Sequence, residues 1–474
     1  MDSVNNSNNK NRWMILFIVV MVTFMSTLDG SIVNVALPAM AKSLNVTSAG
    51  IQLVVTSYLI IVSATILVFG RLGDIVGKTK VFKFGIAIFT MGSIFCGITS
   101  SLSGLVIARV IQGIGAAGTM ANSQGIITAV FPSNERGKAL GITGTFVALG
   151  AMAGPALGGF IVDASSWEYI FLINVPIGII TLFYALKILP KGHKTERVKL
   201  DGLGAILFMF AIVPLFVSLG KGQEVGFTHP IILVGFLIAL ISFITFIMVE
   251  KRRENPILQL KIFENKLFSL SIFCGFLSFV AIFCSNIIQP FFLQDVLKYS
   301  PAFTGLILMI SPLVLSVVAP ISGHLSDKIG SEILTFIGLV VTSFGLLLMS
   351  TFNEHSSILE MVLFIAVMSL GNGLFQSPNN SLIMSTVPRD KLGIAGSING
   401  LVRNLGMVCG IALSTSLLYN RMSYKIGHRV TNYVASRNDA FVYGMRVVYI
   451  TAAAICMLGA ILTFLRLYRS KAKI

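Results

Sequence analysis

Long apolar runs separated by short charged segments constrain this chain more than any other feature. A helix needs about 17 to 25 mostly apolar residues to cross a bilayer, and fourteen runs of the 474-residue chain have that length. Only 11% of the residues are charged, whereas soluble domains carry about 25%. We therefore predict an all-α integral membrane protein. The predicted spans, numbered 1 to 14 along the chain, are residues 13–37, 51–70, 81–100, 104–127, 138–162, 167–188, 203–219, 230–249, 268–293, 302–325, 332–352, 358–383, 393–418 and 444–466.

Positively charged residues are distributed unevenly between alternate connecting segments. With the N-terminus inside, the inner segments and tails contain 25 of the 35 Lys and Arg residues, and the outer segments contain seven. Because cytoplasmic segments of membrane proteins are enriched in Lys and Arg, we expect both termini in the cytoplasm and a location in the cell membrane. The same distribution accounts for the net charge of +16 without a nucleic-acid partner.

An internal repeat relates the first six spans to the last six. The sequence G-R-L-G-D-I-V-G at 70–77 matches G-H-L-S-D-K-I-G at 323–330 in register, and Gly85 and Gly338 continue the match. Two six-helix halves related in this parallel way are typical of transporters, with the pathway between the halves. Spans 7 and 8 are inserted between them. The predicted tail, N-terminal half, insertion, C-terminal half and second tail are residues 1–12, 13–188, 189–266, 267–466 and 467–474.

Asp29 in span 1 is the one acidic residue deep inside a predicted span. An ionisable group at that depth is costly and usually faces a cavity or marks a transport pathway. We interpret Asp29 as a proton carrier, a contact for a cationic substrate, or both; a structural hydrogen bond or ion pair is the alternative. Arg109 in span 4 is the candidate partner, provided that spans 1 and 4 face one cavity, and Gln112 lies one turn further along the same helix.

The segment between spans 2 and 3 is rich in glycine and charge. Arg71, Asp74 and Gly77 form a candidate gating loop that could hold the two halves in one state, and a tight solvated turn is the alternative. The sequence G-D-I-V-G-K-T at 73–79 also resembles a phosphate-binding loop. Three residues separate its glycines where that loop has four, and no strand precedes it. We therefore expect no nucleotide.

Span 5 contains a run of poor helix formers: Gly150, Gly154, Pro155, Gly158 and Gly159. Inside a helix, Gly costs about 1 kcal/mol and Pro about 3 kcal/mol relative to Ala. The first, second and fourth of these residues recur every four positions and so share one helix face. Such a face allows close packing between helices in a bilayer. The functional alternative is a bend that shapes a transport pathway.

The second half contains no deep acidic residue. Its candidate cavity residues are amides in spans 9 and 12 and one arginine in span 13, which could bind polar groups of a substrate or join helices through hydrogen bonds. These candidates are Asn286, Gln289, Asn372, Gln376, Asn380 and Arg403.

Metal and enzyme chemistry have no recognisable basis in the sequence. The five cysteines all fall in apolar runs without a C-x-x-C pair, and no two of the five histidines are four residues apart. We interpret the cysteines as buried apolar side chains and expect no metal and no cofactor. The spans contain no nucleophile–base arrangement, so we do not expect an enzyme.

Five motifs, in order along the chain, resemble those of the fourteen-helix drug:proton antiporters of the major facilitator superfamily. The resemblance implies the major facilitator fold and export of a hydrophobic, often cationic compound in exchange for protons. It assigns proton coupling to Asp29 and Arg109, gating to Asp74, and an exporter motif to the glycines of span 5. The motifs are L-D-G-S-I-V-N-V-A-L-P at 28–38, G-R-L-G-D-I-V-G-K-T-K at 70–80, L-V-I-A-R-V-I-Q-G-I-G-A-A at 105–117, G-A-M-A-G-P-A-L-G-G at 150–159 and F-L-Q-D-V-L-K-Y-S-P-A-F-T-G-L at 292–306.

The resulting hypothesis is a proton-coupled multidrug exporter whose partners are a small hydrophobic substrate, protons and the bilayer. An exporter of one endogenous metabolite, lipid or siderophore fits the same scaffold. A non-transporting membrane sensor or assembly factor is the alternative of a different class, and it predicts that Asp29 and Arg109 tolerate neutralisation. Because one chain contains both halves, a monomer suffices.

Overall fold

The computed structural model describes residues 2–132, 135–190, 201–253, 256–388 and 392–471. These residues form α-helices joined by short connections, and no strand occurs among them. Parts of the predicted insertion and of the C-terminal tail lie outside the described residues. The α-helices are α1 (Asp2–Ser43), α2 (Ser48–Ile51), α3 (Leu53–Val76), α4 (Lys78–Ile98), α5 (Leu102–Val130), α6 (Arg136–Ala164), α7 (Tyr169–Leu172), α8 (Asn174–Ile188), α9 (Gly202–Val225), α10 (Pro230–Glu250), α11 (Lys266–Phe291), α12 (Pro301–Leu308), α13 (Ile310–Ile329), α14 (Ser331–Met349), α15 (Ile358–Ser385), α16 (Leu392–Ile426) and α17 (Asn438–Lys471).

Fourteen helical stretches of the described residues are long and apolar enough to cross a membrane. Spans 2, 6 and 10 each consist of two consecutive helices, α2 with α3, α7 with α8, and α12 with α13. Span 9 is α11, which continues into a π-helical turn at Phe292–Val296. Backbone polar groups in the hydrocarbon region must find hydrogen bonds within the protein, and helices meet this requirement. The predicted all-α membrane fold with fourteen spans is confirmed.

Several helices are longer than the apolar runs that predicted them. α9 continues through Pro214, so the short span predicted at 203–219 has full length. α16 and α17 leave only residues 427–437 between them, so the outer connection between spans 13 and 14 is shorter than predicted. α1 begins at Asp2, within the predicted N-terminal tail. The physical reason is that the backbone hydrogen bonds of a helix can continue past the apolar run into polar sequence.

The two halves pack in the same way. In the N-terminal half α1 packs on α6, α4 on α5 and α4 on α8; in the C-terminal half α11 packs on α16, α14 on α15 and α14 on α17. Glycines allow the close approach of the central pairs. A Cβ on Gly85 would lie 2.8 Å from the Gly115 carbonyl oxygen, and one on Gly338 would lie 2.8 Å from that of Gly371. The repeat in the sequence is therefore also a repeat in three dimensions.

Matching turns follow α3 and α13 in the two halves. Gly77 and Gly330 end these helices with φ angles of 107° and 92°. Side chains other than hydrogen are strained in this region of backbone space, whereas glycine reaches it at low cost. This conformation explains why the repeated loop has glycine at both positions.

The halves meet along two seams. α6 packs on α12 and α13 at the first seam, and α3 packs on α16 at the second. The inserted helix α9 packs on both α3 and α16 and so covers the second seam, whereas α10 packs mainly on α9. The halves also touch through Lys42 and Asp295, which are 3.1 Å apart, and through Gln294, which donates to the Val35 carbonyl oxygen. We call the end with these contacts the outer end, following the predicted topology.

Candidate functional site

Asp29 is fully buried in the interior of α1. Its Oδ2 accepts a hydrogen bond of 2.6 Å from Nη1 of Arg109 on α5. Its Oδ1 accepts hydrogen bonds of 2.9 Å from Nε2 of Gln112 on α5 and from Nδ2 of Asn174 on α8. Three helices of the N-terminal half therefore converge on one carboxylate, and both of its oxygens are hydrogen-bonded.

Arg109 is only 1% exposed. Its Nη1 also donates to Gln112 Oε1 at 2.6 Å, and its Nε donates to the Val54 carbonyl oxygen at 3.0 Å. The guanidinium carbon lies 4.3 Å from the centre of the Tyr58 ring and 5.6 Å from that of Phe171. Aromatic faces at such distances attract a cation. The side chain is therefore held by α3 and α7 as well as by α1.

Gln112 connects this pair to a fourth helix. Its Nε2 donates both to Asp29 and, at 2.9 Å, to Ser93 Oγ on α4. Charged groups at membrane depth are costly unless they are paired, and removing one partner of a buried pair costs about 3–5 kcal/mol. A change in the charge of Asp29 therefore alters contacts among α1, α4, α5 and α8 together.

The equivalent positions of the C-terminal half are apolar. Close contacts fix the register between the halves: a Cβ on Gly92 would lie 2.5 Å from Gln112 N, and one on Gly345 would lie 2.5 Å from Met368 N. The contacts of α6 with α1 and of α16 with α11 match in the same way, and they align the residues of α1 with those of α11. Among the described residues, the buried ion pair therefore has no counterpart in the second half. The buried equivalents of Asp29, Arg109 and Gln112 are, in that order, Ala281, Ile365 and Met368.

The segment predicted as a gating loop is mostly helical: Arg71 and Asp74 lie in the last turns of α3, and only Gly77 lies between α3 and α4, because the backbone hydrogen bonds of α3 continue past the apolar run. Asp74 is half-exposed and forms an ion pair of 3.0 Å with Lys78, four residues on. Arg71 lies half-buried near the end of α3, and Gly77 forms the turn. The ion pairs of the described residues do not connect Asp74 to the C-terminal half. A latch between the halves at this loop stays a prediction.

One face of the exporter motif packs within its own half. A Cβ on Gly150 would lie 2.8 Å from the Phe24 carbonyl oxygen, and one on Gly154 would lie 2.9 Å from Ile32 N. Gly158 is equally close to Ile32, since a Cβ there would lie 2.9 Å from its carbonyl oxygen. The glycine face thus brings α6 into backbone contact with α1, the helix that carries the buried acid.

The other face of the motif meets the C-terminal half. A Cβ on Gly159 would lie 3.0 Å from Ala302 Cα, and one on Gly305 would lie 3.0 Å from the Pro155 carbonyl carbon. Both partners belong to α12, and α6 continues through its proline. The motif therefore combines packing within one half with the first seam between the halves, near the outer end.

The second-half amides on α11 and at the end of α15 are scattered. Asn286 is half-buried. Gln289 is buried and donates to Ser285 Oγ. Asn380 is exposed and accepts a hydrogen bond of 2.9 Å from Asn399. These contacts are local, so they do not by themselves define a site.

The other second-half candidates include two groups without hydrogen-bond partners among the described residues. Asn372 is 6% exposed, and its Oδ1 is unpaired. Arg403 is half-buried, and its Nε is unpaired. Gln376 is half-buried one turn after Asn372. In the described part of the chain, no hydrogen bond joins any two of the six second-half candidates.

Three side chains around the Asp29–Arg109 pair are not predicted by the pattern that singled out that pair, a charged residue within an apolar span. Asn174 is the one amide in the predicted sixth span, and that isolation is a signal that could have singled it out. Ser93 and Tyr58 carry no such signal, because hydroxyl and aromatic side chains are frequent in these spans. Only the packing of α3 and α4 against α5 places them in the cluster.

A bundle of two equivalent six-helix halves that meet along two seams, with charge buried in one half, defines a membrane transporter. The chain belongs to the Major Facilitator Superfamily, whose family model matches residues 19–258 and 271–474. The predicted family and fold are confirmed, and the protein is a transporter rather than an enzyme.

Similar proteins have been named for different substrates. The chain is 35% identical over 456 residues to the riboflavin transporter RibZ of Clostridioides difficile, covering 96% of this chain and 97% of that protein. It is 31% identical over 396 residues to the multidrug resistance protein Stp of Mycobacterium tuberculosis, covering 83% and 74%. It is 29% identical over 444 residues to multidrug resistance protein 3 of Bacillus subtilis, covering 93% and 84%. The multidrug names are consistent with the drug:proton antiporter family.

Solved structures share the fold at low sequence identity. A bacterial homologue of the human lysosomal transporter Spinster superposes with a TM-score of 0.65 in its inward-facing occupied form, at 17% identity. Its inward-facing unoccupied form superposes with a TM-score of 0.67, at 16% identity. Each comparison covers 96% of both chains.

Proposed function

We propose that this protein is a proton-coupled antiporter that exports hydrophobic compounds across the cytoplasmic membrane by alternating access. Asp29 is the proton carrier, and Arg109 is its counter-ion. The fully buried ion pair of 2.6 Å between these residues supports this proposal most strongly, because ionisable groups inside membrane spans mark proton and ion pathways. The relatives named multidrug resistance proteins support hydrophobic compounds as substrates.

Protonation of Asp29 removes its negative charge and with it the ion pair. The carboxyl oxygen that gains the proton becomes a hydrogen-bond donor, so it no longer accepts from a neighbouring donor in the same geometry. Arg109 keeps the Val54 carbonyl oxygen and Gln112 Oε1 as acceptors. The proton therefore switches the contacts of α1 with α5 and α8 between two arrangements, and a ligand or an ion can shift such an equilibrium.

The glycine face of α6 links this switch to the seam between the halves. Ser31 follows Asp29 by two residues on α1 and donates to the Gly150 carbonyl oxygen at 3.1 Å. Gly159, on the same helix α6, lies against Ala302 of the other half. A displacement of α1 on protonation is therefore transmitted through α6 to the contact that closes the outer end.

The orientation and the oligomeric state complete the proposal. Both termini lie in the cytoplasm, because Lys and Arg concentrate in the segments on that side. The protein acts as a monomer, since one chain provides both halves of the pathway. The cationic substrate that the sequence predicts is not part of this proposal, because Arg109 already neutralises Asp29 in this arrangement.

Proton exchange in everted vesicles tests the coupling. Vesicles acidified inside are exposed in turn to ethidium, rhodamine 6G, fluorescein and riboflavin, and a pH-sensitive dye reports proton release. We expect at least one compound to dissipate the gradient with the wild type and none to do so with Asp29→Asn. Asp163→Asn, at an exposed acid near the end of α6, is the matched control and should behave as the wild type. Normal exchange by Asp29→Asn contradicts the proposal.

Transport of a single metabolite is the second candidate function. Similarity to the riboflavin transporter RibZ over nearly the whole chain favours this candidate. It predicts that riboflavin competes for transport while structurally unrelated dyes do not. Uptake and efflux of labelled riboflavin, measured in cells with and without the protein, separate the two candidates. A sensor or assembly factor would instead retain its function when Asp29 and Arg109 are neutralised.

A further inference from the structure

Arg403 lies on α16, the helix of the C-terminal half that forms the second seam. One face of α16 is packed inside its own half against α11. A Cβ on Gly406 would lie 3.0 Å from the Phe276 carbonyl oxygen, and one on Gly410 would lie 2.5 Å from that of Val280. This face leaves no room for a ligand.

A neighbouring face of α16 meets the N-terminal half. A Cβ on Gly400 would lie 3.9 Å from Ile66, and Thr415 forms a hydrogen bond with Gln52. Successive residues of an α-helix are rotated by about 100°, which places Arg403 between this face and the face that packs on α11. Its side chain therefore points toward the space between α3 and α11, where the halves meet.

The region around Tyr58 carries a net positive charge. Arg403 on α16 lies near Tyr58 on α3, across the second seam. The Tyr58 ring also covers Arg109, 4.3 Å away. Asp29 neutralises Arg109, but the ion pairs in the described part of the chain supply no partner for Arg403. One uncompensated cation is left between the halves.

Adjacent donors on α16 lack acceptors. Arg403 Nε and Asn404 Nδ2 have no hydrogen-bond partner among the described residues, and Asn404 is 3% exposed. A buried donor without an acceptor is unfavourable, and a cation at membrane depth without a counter-charge is more so, even when it is only half-buried. A hydrogen-bond acceptor would satisfy both groups, and a negative charge would neutralise the arginine. The complementary ligand is therefore an anion.

We propose that Arg403 and Asn404 bind the acidic group of the transported compound, whose class is a hydrophobic organic anion. This rests on the proposed function only in that a hydrophobic compound binds between the halves. The guanidinium fork matches a carboxylate through two parallel hydrogen bonds. The Asp29 carboxylate is already occupied by its own partners, so it does not offer a site to a cation.

Two xanthene dyes of similar shape test the charge preference: the anion fluorescein and the cationic ester rhodamine 6G. Fluorescence polarisation measures their binding to the purified full-length protein. We expect the wild type to bind fluorescein more tightly than rhodamine 6G. Arg403→Gln should weaken fluorescein binding about tenfold or more without weakening rhodamine 6G binding. Arg403→Lys should recover part of the affinity, because it keeps the charge but not the planar fork.

The melting temperature without dye separates binding from a structural role. Because no described residue forms an ion pair with Arg403, Arg403→Gln should melt at or above the wild-type temperature, whereas a structural role predicts a lower one. Equal fluorescein binding by wild type and Arg403→Gln, tighter wild-type binding of rhodamine 6G, or no wild-type binding of fluorescein overturns the proposal. Proton exchange by Asp29→Asn, with fluorescein binding intact, refutes the coupling alone and leaves the anion site standing.

Discussion

Asp29 and Arg109 form an ion pair of 2.6 Å between α1 and α5, and neither side chain is more than 1% exposed. Water does not screen a pair at this depth, so each charge depends on the other. The effect of neutralising one charge therefore differs from the effect of neutralising both.

Asp29→Asn is expected to destabilise the protein by about 3–5 kcal/mol, because Arg109 becomes an uncompensated buried charge. The double variant Asp29→Asn/Arg109→Gln removes both charges and should recover most of that loss. Reversible unfolding of the purified protein in detergent measures both free energies. If the single variant is as stable as the wild type, the two side chains are not paired in the folded protein.

Gly154→Ala is expected to destabilise the contact of α6 with α1. The added Cβ would lie 2.9 Å from Ile32 N, a backbone atom that cannot move aside without shifting the helix, and overpacking of this kind costs about 1–3 kcal/mol. Gly144→Ala on the same helix is the matched control, because a Cβ there meets nothing within 4 Å. The unfolding free energy of Gly144→Ala should rise by up to about 1 kcal/mol, because Ala favours the helix more than Gly does. Equal unfolding free energies for the two variants would show that the close contact is absent.

The sequence predicts the charged part of the site because charge is rare in membrane spans. Asp29 and Arg109 stand out against apolar neighbours, and a five-motif resemblance places them on the spans that meet. Glycine spacing predicts a face for close packing on α6, but it cannot name α1 as the partner, since that depends on tertiary contacts. The contact of Gly159 with Ala302 across the seam likewise depends on tertiary packing, so glycine spacing does not predict it.

The isolated side chains of the second half are harder to rank from sequence. Arg403 and Asn380 are both polar residues in apolar runs, yet one points between the halves and the other is exposed. The direction of Arg403 follows from the rotation of α16, which its glycine contacts fix, and the exposure of Asn380 follows from its place near the end of α15; only the folded structure reveals either. Helix ends are likewise set by hydrogen bonding beyond the apolar run, as in the short connection at 427–437.

Gly159→Leu is expected to separate α6 from α12 and shift the protein toward a form open at the outer end. A Cβ at this position already lies 3.0 Å from Ala302 Cα, so a larger side chain excludes the closed contact. The labelling rate of Val35→Cys, at a fully buried position near that end, should rise several-fold. Phe160→Leu, at an exposed neighbouring position, should leave the rate unchanged. An unchanged rate in Gly159→Leu would mean that the seam does not control access.

Cysteine labelling of intact cells is expected to confirm the orientation. His355→Cys, exposed between α14 and α15, should react with an impermeant maleimide, and Lys80→Cys, exposed at the start of α4, should react only after permeabilisation. The native cysteines give little background, since four of the five are buried; Cys409→Ser removes the half-buried one. The reverse labelling pattern would invert the proposed topology.

The hairpin of α9 and α10 gives the molecule two unequal flanks. Beside α3 and α16, lipid tails meet α9 before they reach the junction of the halves, whereas beside α6 and α12 no inserted helix intervenes. When the halves separate, α9 thus lies between the bilayer and the pathway on one flank, whereas the gap between α6 and α12 on the other flank is open to the bilayer. We therefore expect exchange of compounds between the lipid phase and the pathway to occur on the flank of α6 and α12.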